Sequence, residues 1–160
     1  MTVLSAQSIR KQCIIDGNPQ LISPFSERGV IRGRSFGLSA CTYDCRIDRP
    51  LIVPVRQSRL AVTVERFCIP DSICGSVLDK SSWARLFVSA FNTHLDPGWS
   101  GFLTVELANL SEEPIEFLEG DPLCQIKFEW LDEPTELPYS GKYQDQPAEP
   151  VPVRREGWPS

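Results

Sequence analysis

The sequence predicts an all-β fold, a barrel or jelly roll with short helices and a C-terminal tail. Short runs rich in β-branched and aromatic residues recur at regular spacing between residues 38 and 130. Gly and Pro turns separate these runs, as is typical of all-β architectures. After Leu131, prolines interrupt every regular element, at Pro134, Pro138, Pro147, Pro150, Pro152 and Pro159. We therefore expect a β domain over residues 1–130 and a tail over residues 131–160.

The individual elements follow from local signals. Ser5 is suited to cap a short helix over residues 6–15, which Asp16-Gly17 would end. Alternating or β-branched runs predict strands over residues 38–47, 51–55, 60–68, 75–78, 102–110, 115–117 and 123–130. A second short helix is expected from Ser81 or Ser82 to Leu86, with Asp79 or Ser81 as its cap.

The bulk properties exclude several classes of function. A chain of 160 residues is expected to form one domain with a real core. Its net charge of −5 argues against non-specific nucleic-acid binding, which needs a basic surface. No apolar run reaches the roughly 18–20 residues of a membrane span. The N-terminal residues lack the basic and apolar regions of a signal peptide, so we expect a cytoplasmic protein.

The cysteines do not form a metal-binding pattern. The six residues are scattered, no C-x-x-C pair occurs, and His94 is the only histidine. Several cysteines lie in apolar surroundings, so we expect reduced thiols in or near the core. A zinc site therefore has little support from the sequence.

Four residues near the middle of the chain could bind an anion. Lys80, Ser81, Ser82 and Arg85 supply two hydroxyls and two cations. A helix that begins at serines presents free backbone N–H groups, and an arginine adds a planar fork suited to phosphate oxygens. An ordinary capped helix with a solvated arginine is the alternative interpretation.

Two carboxylates downstream are candidates for chemistry. Glu106 lies in an apolar strand, where alternation places it opposite the face of Leu103, Val105 and Leu107. It is either a solvent-side residue or a general base that takes a proton from water and later returns it to a departing amine. Asp96 begins an Asp-Pro-Gly-Trp turn and either caps that turn or accepts a sugar hydroxyl. His94 is more simply explained as a structural or exposed residue.

The motifs together resemble those of the dCTP deaminases of the dUTPase-like superfamily. Ser-Ser-Trp-Ala-Arg, Asp-Pro-Gly-Trp-Ser-Gly and Glu-Leu-Ala-Asn occur in that family's order and at near-family spacing. Ser39-Ala-Cys-Thr-Tyr-Asp-Cys-Arg-Ile precedes them, and Tyr139-Ser-Gly-Lys-Tyr-Gln-Asp-Gln follows. The resemblance implies a dUTPase-like distorted jelly roll, a homotrimer with sites between subunits, and Mg²⁺-bound dCTP as substrate without zinc.

The resemblance also assigns roles to individual residues. Lys80, Ser81, Ser82 and Arg85 look like the triphosphate site, and Asp96 matches the deoxyribose contact. Thr104 and Val105 match positions beside the base, and Glu106 matches the catalytic acid/base. Tyr139, Lys142 and Gln146 resemble tail residues that close over the nucleotide as a lid.

The chain departs from the resembled pattern between its phosphate and sugar motifs. Many relatives follow the arginine with Leu-Gly, whereas this chain has Leu86-Phe87. The segment 87–95 is about two residues shorter than in well-known bacterial enzymes. Asn92-Thr93 falls where backbone groups would position the attacking water. Asp44 resembles the aspartate of the first dUTPase motif, although a buried structural aspartate fits the sequence equally.

Three functions remain open at this stage. The first is a dCTP deaminase, which converts dCTP and water to dUTP and ammonia on the route to dTTP. The second is a bifunctional dCTP deaminase/dUTPase that releases dUMP, or a dUTPase. The tail lacks the glycine-rich pattern of a pure dUTPase. The third is a non-catalytic nucleotide-binding regulator, which would not need Glu106. The sequence leaves open whether dTTP also binds as an inhibitor.

Overall fold

The computed structural model of the protein describes residues 2–14 and 20–157. Within these residues two helices and thirteen strands form, in the order β1 (Thr2–Val3), α1 (Ala6–Ile14), β2 (Ile22–Ser23), β3 (Gly29–Ile31), β4 (Arg34–Leu38), β5 (Thr42–Arg46), β6 (Leu51–Val53), β7 (Ser58–Cys68), β8 (Ile73–Leu78), α2 (Ser81–Ala84), β9 (Val88–Ala90), β10 (His94–Leu95), β11 (Ser100–Asn109), β12 (Ile115–Phe117) and β13 (Pro122–Trp130). The predicted end of the first helix at Ile15 and Asp16-Gly17 lies outside the described residues.

The strands form two main sheets, and the all-β prediction is confirmed. The first sheet has the order β10-β8-β13-β5-β4-β3, and β1 also pairs with β13. The second sheet has the order β2-β7-β11-β9, and β12 with β6 forms a separate pair. The buried apolar side chains form a continuous core, in which the largest include Tyr43, Phe67, Phe117 and Phe128. The sheets carry the core-facing side chains because the apolar residues alternate along the strands.

The longest strand pair, β7 with β11, carries a break in its register. The pairing shifts between Phe102 and Thr104, where β7 contributes extra residues. The backbone N–H of Leu103 there donates to the hydroxyl of Thr63 at 3.0 Å, so the irregular backbone remains hydrogen-bonded. Such bulges turn side chains toward a site at the edge of a sheet.

Several predicted boundaries differ from the structure. The strand expected over residues 38–47 is divided into β4 and β5 by a tight turn, in which Ser39 N–H donates to Thr42 O. The helix α2 ends at Ala84 instead of Leu86, and residue 80 precedes it without a side-chain cap. The expected cap at Asp79 or Ser81 is therefore wrong. The Asp79 carboxylate instead accepts hydrogen bonds from Ala90 N–H at 2.7 Å and from the Ser89 hydroxyl at 3.1 Å.

The thiols follow the sequence expectation with one exception. Cys13, Cys45, Cys74 and Cys124 are buried and Cys68 is half-buried, whereas Cys41 is exposed; all six are free. Burial raises the pKa of the Cys13 thiol to about 12, which makes it inert as a nucleophile. Across residues 2–14 and 20–157, no helix has the length and apolarity that crossing a membrane requires.

The C-terminal segment packs against the turn before β11 and against the start of that strand. The indole N–H of Trp99 donates to Tyr143 O at 2.7 Å, and Phe102 N–H donates to Gln146 O at 3.0 Å. Gly101 and Gln146 form a parallel bridge. These contacts bring the segment after residue 138 onto the same side of the molecule as Glu106.

Candidate active site

A cavity of about 620 Å³ lies where the two main sheets and the C-terminal segment meet. Its walls come from three parts of the chain. The first wall is formed by the β10 region, with Thr93, His94, Leu95, Asp96 and Trp99. The second is formed by β7 and β11, with Leu60, Leu103, Thr104 and Glu106. The third is formed by the tail, with Tyr139, Tyr143, Gln146, Val151, Pro152 and Val153.

Glu106 is the carboxylate with the most unusual surroundings in this cavity. It pairs with Leu60 across the strands, and alternation turns its side chain away from the core-facing Val105 and Leu107. Its Oε2 atom is buried and has no hydrogen-bond partner within residues 2–14 and 20–157. Burial raises the pKa of Glu106 above its ordinary value of 4.5, and a backbone hydrogen bond opposes part of this shift. A raised pKa suits a group that both accepts and donates a proton near neutral pH.

The raised pKa of Glu106 has a measurable consequence for stability. Because the folded state holds this proton to higher pH than the unfolded state, the group's contribution to stability is greatest below pH 4.5. That contribution is lost as the pH rises through the folded-state pKa. We expect Glu106→Gln to gain stability over the wild type as pH rises, with little difference in acid. Thermal unfolding of both proteins across this pH range tests this, and a constant difference would contradict it.

Asp96 stands at the start of a tight turn at the mouth of the cavity. Trp99 N–H donates to Asp96 O at 3.1 Å, and Gly98 has a φ of +84°, as a type II Pro-Gly turn requires. The Asp96 side chain is 52% exposed, with His94 Nε2 at 3.9 Å from Oδ1. The carboxylate is therefore exposed enough to accept a hydrogen bond from a hydroxyl group of a bound molecule. His94, which the sequence favours as a structural or exposed residue, is about half exposed and lines the cavity.

The two residues predicted to lie beside the base have different positions. Thr104 is 7% exposed and lines the cavity, and its Oγ1 accepts a hydrogen bond from Val151 N–H at 3.0 Å. Val105 is buried, and its side chain belongs to the core instead of the cavity wall. Only the backbone of Val105 could therefore contact a ligand there.

The predicted tail residues divide in a similar way. Tyr139 and Gln146 line the cavity, and the Tyr139 hydroxyl accepts Tyr143 N–H at 3.0 Å. Lys142 does not line it, because its ammonium group is bonded to Arg154 O and lies 5.3 Å from the centre of the Tyr143 ring.

The predicted phosphate-binding residues are not among those that line the cavity of the same chain. Lys80 is buried, with Nζ at 2.7 Å from Asp44 Oδ2 and 3.2 Å from Ser35 Oγ. Ser81 and Arg85 are exposed, whereas the Ser82 hydroxyl is buried and has no partner in the part of the chain that the structure describes. The helix α2 that carries them is anchored by Trp83, whose indole N–H donates to Pro122 O at 2.6 Å.

Comparison with known proteins identifies the family. The profile of a family described as dCTP deaminase-like matches residues 40–131. The chain belongs to this dCTP deaminase-like family. It is 37% identical to the dCTP deaminase of Pyrococcus horikoshii over 131 residues, which cover 78% of this chain and 84% of the relative. It is 31% identical to the dCTP deaminase of Acidobacterium capsulatum over 179 aligned positions, with 91% of this chain and 96% of the relative covered.

Solved structures confirm the dUTPase-like fold. The dCTP deaminase of Agrobacterium tumefaciens superposes with a TM-score of 0.63 at 16% identity, covering 79% of this chain and 47% of that chain. The native dUTPase of EIAV superposes with a TM-score of 0.56 at 18% identity, covering 76% of this chain and 98% of that chain. The deaminase of Agrobacterium tumefaciens and the dUTPase of EIAV therefore share this protein's fold.

Part of the cavity wall was not predicted from the sequence. Leu60 faces Glu106 from the neighbouring strand, and a strand assignment for both segments could have suggested this only with the correct register. The apolar segment from Val151 to Val153 also went unpredicted. It follows the tail motif in a proline-broken stretch, and no local pattern indicates its contact with Thr104.

Proposed function

We propose that this protein is a dCTP deaminase that converts dCTP and water to dUTP and ammonia. The observation that carries the proposal is the position of Glu106, which lines a cavity together with Asp96 and whose buried Oε2 has no hydrogen-bond partner among residues 2–14 and 20–157. Family membership supports the same reaction, because the curated relatives are dCTP deaminases. The product would feed pyrimidine deoxynucleotide synthesis.

Glu106 would carry the proton transfers of this hydrolysis. Its carboxylate takes a proton from water while the water oxygen bonds to C4 of cytosine. The same proton then passes to the amino nitrogen, and the C4–N bond breaks with ammonia as the leaving group. The remaining water proton moves from the C4 hydroxyl to N3, which gives uracil as the product base. Such a general acid/base typically contributes ~100- to ~10,000-fold in rate. Asp96 would accept a hydrogen bond from the 3′-hydroxyl of the sugar. Thr104 and the backbone of Val105 would lie beside the base.

The triphosphate would be bound by Lys80, Ser81, Ser82 and Arg85 of a neighbouring subunit in a homotrimer. These residues are not part of the cavity wall of their own chain. A second copy could bring its exposed Arg85 to the cavity and supply the cationic groups that a triphosphate needs. Lys80 would act from its buried ion pair with Asp44. It would either hold the segment of residues 80–85 in place or attract the triphosphate through its positive charge.

We expect Arg85→Ala to weaken triphosphate binding by up to several kcal/mol, on the order of one lost charge-assisted contact or pair. The exposed guanidinium makes this loss a binding effect with little cost to folding. Calorimetric titration with a slowly turned-over nucleotide measures it, and the exposed Arg56, which pairs with Glu112, gives a matched Arg→Ala control. Unchanged affinity in Arg85→Ala would move the phosphate site elsewhere.

The substrate would be the Mg²⁺ complex of dCTP. Across residues 2–14 and 20–157, no group of three or more His, Cys, Asp or Glu side chains is arranged to hold a metal ion. Mg²⁺ commonly keeps several waters and is bound through substrate phosphates, and this mode of binding would not need a metal-binding group of the chain. In one solved neighbour, a phage phi11 dUTPase variant, a structural Mg²⁺ ion is coordinated.

We expect activity to survive exhaustive zinc chelation and to require added Mg²⁺. One histidine and unpaired cysteines do not match the His/Cys/Cys or Cys₃ sites of zinc deaminases. Activity assays after treatment with a zinc-selective chelator, with and without Mg²⁺, measure both requirements. Stoichiometric, tightly bound zinc in the active protein would overturn this prediction.

The tail over residues 131–160 would act as a lid on the domain formed by residues 1–130. Tyr139 and Gln146 already line the cavity, so closure would require Lys142 to leave Arg154 and reach the phosphate oxygens. Such a lid would exclude water and complete the phosphate cage.

The main alternative is a bifunctional enzyme that carries dCTP on to dUMP. The likeness of the fold to dUTPases favours it as a second candidate. The test is an incubation with dCTP as the substrate, in which dUTP, dUMP, pyrophosphate and ammonia are measured separately as products. A deaminase yields dUTP and ammonia, a bifunctional enzyme yields dUMP, pyrophosphate and ammonia, and a binding regulator yields none of these.

The same incubation with dTTP present tests whether dTTP inhibits the reaction. Cytoplasmic localisation remains a prediction.

A further inference from the structure

The cavity lies at a joint between the two main sheets. Thr93, His94 and Asp96 form a wall that continues from β10, which belongs to the seven-stranded sheet. Thr104 and Glu106 belong to β11 in the four-stranded sheet. The chain crosses from one sheet to the other through residues 91–93, between β9 and β10. The conformation of this short connection therefore sets the distance between the two walls.

The side chain of Asn92 ties the two sheets together at this crossing. One side of its amide faces carbonyl oxygens and the other faces hydrogen-bond donors, so the nitrogen is assigned to the first side and the oxygen to the second. In that orientation the nitrogen donates to Val77 O at 3.1 Å and to Ala90 O at 3.2 Å. Val77 is on β8 of the first sheet, and Ala90 is on β9 of the second sheet.

Backbone hydrogen bonds connect the segment around Asn92 to both walls of the cavity. On one side, Phe91 N–H donates to Glu106 O at 2.9 Å. On the other side, Val77 N–H donates to Thr93 O at 2.9 Å. Asn92 thus stands between a residue bonded to the backbone of Glu106 and a residue that lines the opposite wall. Its own side chain is not part of the cavity wall.

We propose that Asn92 is a positioning residue for the deamination, which sets the geometry of the Thr93 wall relative to Glu106. This inference rests on the proposed function and deepens it. Asparagine suits the role because its short amide carries two N–H donors, one for each carbonyl. Alanine would supply no donor, and aspartate would place a carboxylate against two carbonyl oxygens. Small displacements of a catalytic geometry are costly, and about 1 Å costs about 100-fold in rate.

The test compares Asn92→Ala and Asn92→Asp with Ser89→Ala. The Ser89 hydroxyl, on β9, donates to the Asp79 carboxylate, and this bond does not involve the connection formed by residues 91–93. For each protein, kcat and KM for dCTP are measured over a range of pH, together with the melting temperature. The affinity for dCTP is measured separately by calorimetry, with each change placed in the Glu106→Gln background.

We expect both Asn92 variants to lose about 10- to 100-fold in kcat, while dCTP affinity changes by less than about threefold. The Ser89→Ala protein should keep wild-type kcat. Below neutral pH, protonation would return one donor to Asn92→Asp, so its kcat relative to Asn92→Ala should rise as pH falls. Such a pH-dependent recovery would not follow from a general loss of stability.

Three results would overturn the inference. The first is wild-type kcat in both Asn92 variants. The second is a loss of affinity equal to the loss of kcat, and the third is a kcat ratio between the two variants that does not change with pH. If Asn92→Ala does not fold, the kcat of Asn92→Asp relative to the wild type, and the change of that ratio with pH, decide the matter alone. A wild-type protein that does not deaminate dCTP would reject the proposed function and this inference together, whereas an active wild type with unaffected variants rejects only the inference.

Discussion

Replacing Glu106 with glutamine should reduce the rate of dCTP deamination by at least ~100-fold, as expected for the loss of a general acid/base. Glutamine keeps the size of the side chain but cannot take a proton from water. The site should otherwise persist, because Glu106 makes few polar contacts and its Oε2 has no partner in residues 2–14 and 20–157. Steady-state kinetics with direct detection of ammonia measures the loss.

The matched control is Glu116→Gln. Glu116 is an exposed strand residue in β12 and does not line the cavity, so its variant should keep wild-type activity. Calorimetry with dCTP should give similar affinities for Glu106→Gln and the wild type. Near-wild-type turnover in a folded Glu106→Gln protein would end the assignment of this residue.

Deleting the chain from Tyr139 onward should lower deamination on the order of 100-fold, with losses in both binding and turnover. The tail contributes six residues to the cavity wall, so its removal opens the cavity to water. It also removes the carbonyl of Tyr143 that accepts the indole N–H of Trp99. Kinetics on the truncated protein, together with its oligomeric state by light scattering, measure the effect. Full activity in a folded truncated protein would show that the tail is a passive extension.

A single substitution can detach the tail without removing it. Gly101 has a φ of +142°, and a Cβ there would stand 2.5 Å from Gln146 N. Gly101→Ala should therefore displace Gln146 and lower activity in the same direction as the deletion. Gly120→Ala provides a control at another glycine of positive φ, +78°, because its Cβ would have no neighbour nearer than 3.7 Å.

Limited proteolysis reports on the closure of the lid directly. Ordering a tail segment costs roughly 1–2 kcal/mol per residue, so contacts to the triphosphate should shift the segment toward the closed state. The experiment uses the Glu106→Gln protein, which should consume dCTP only slowly. In this protein trypsin should cut at Lys142 more slowly when dCTP and Mg²⁺ are present. Equal cleavage rates with and without nucleotide would contradict closure by the lid.

The sequence predicted the long strands better than the short ones. The apolar runs that form β7 and β13 bury alternating residues over much of their length, and this burial produces the period-two pattern. Strands β9 and β10 have only three and two residues, Val-Ser-Ala and His-Leu, and carry no such pattern. They form because β8 and β11 provide strand edges with which they pair.

Site residues that belong to a recognisable sequence motif could be predicted, because the motif gives both the residue and the residues next to it in the sequence. Asp96, Thr104, Glu106, Tyr139 and Gln146 were each expected in the site, and the structure brings all of them to one cavity. Their nucleotide contacts remain predictions.

The remaining contacts depend on distant parts of the chain. The pair between Lys80 and Asp44 joins residues 36 positions apart, and the Asn92 bonds depend on how the two sheets meet. No local pattern encodes either one.

The most direct test of the account is dCTP turnover in water labelled with oxygen-18, followed by mass spectrometry of the products. Hydrolysis assisted by Glu106 predicts that one labelled oxygen appears on the base of the product, with one ammonia released per base. The Glu106→Gln protein should form this product at least ~100-fold more slowly. Label on phosphate in addition would identify the bifunctional enzyme. Unchanged dCTP, or label on phosphate with cytosine intact, would contradict the claim that this protein is a dCTP deaminase.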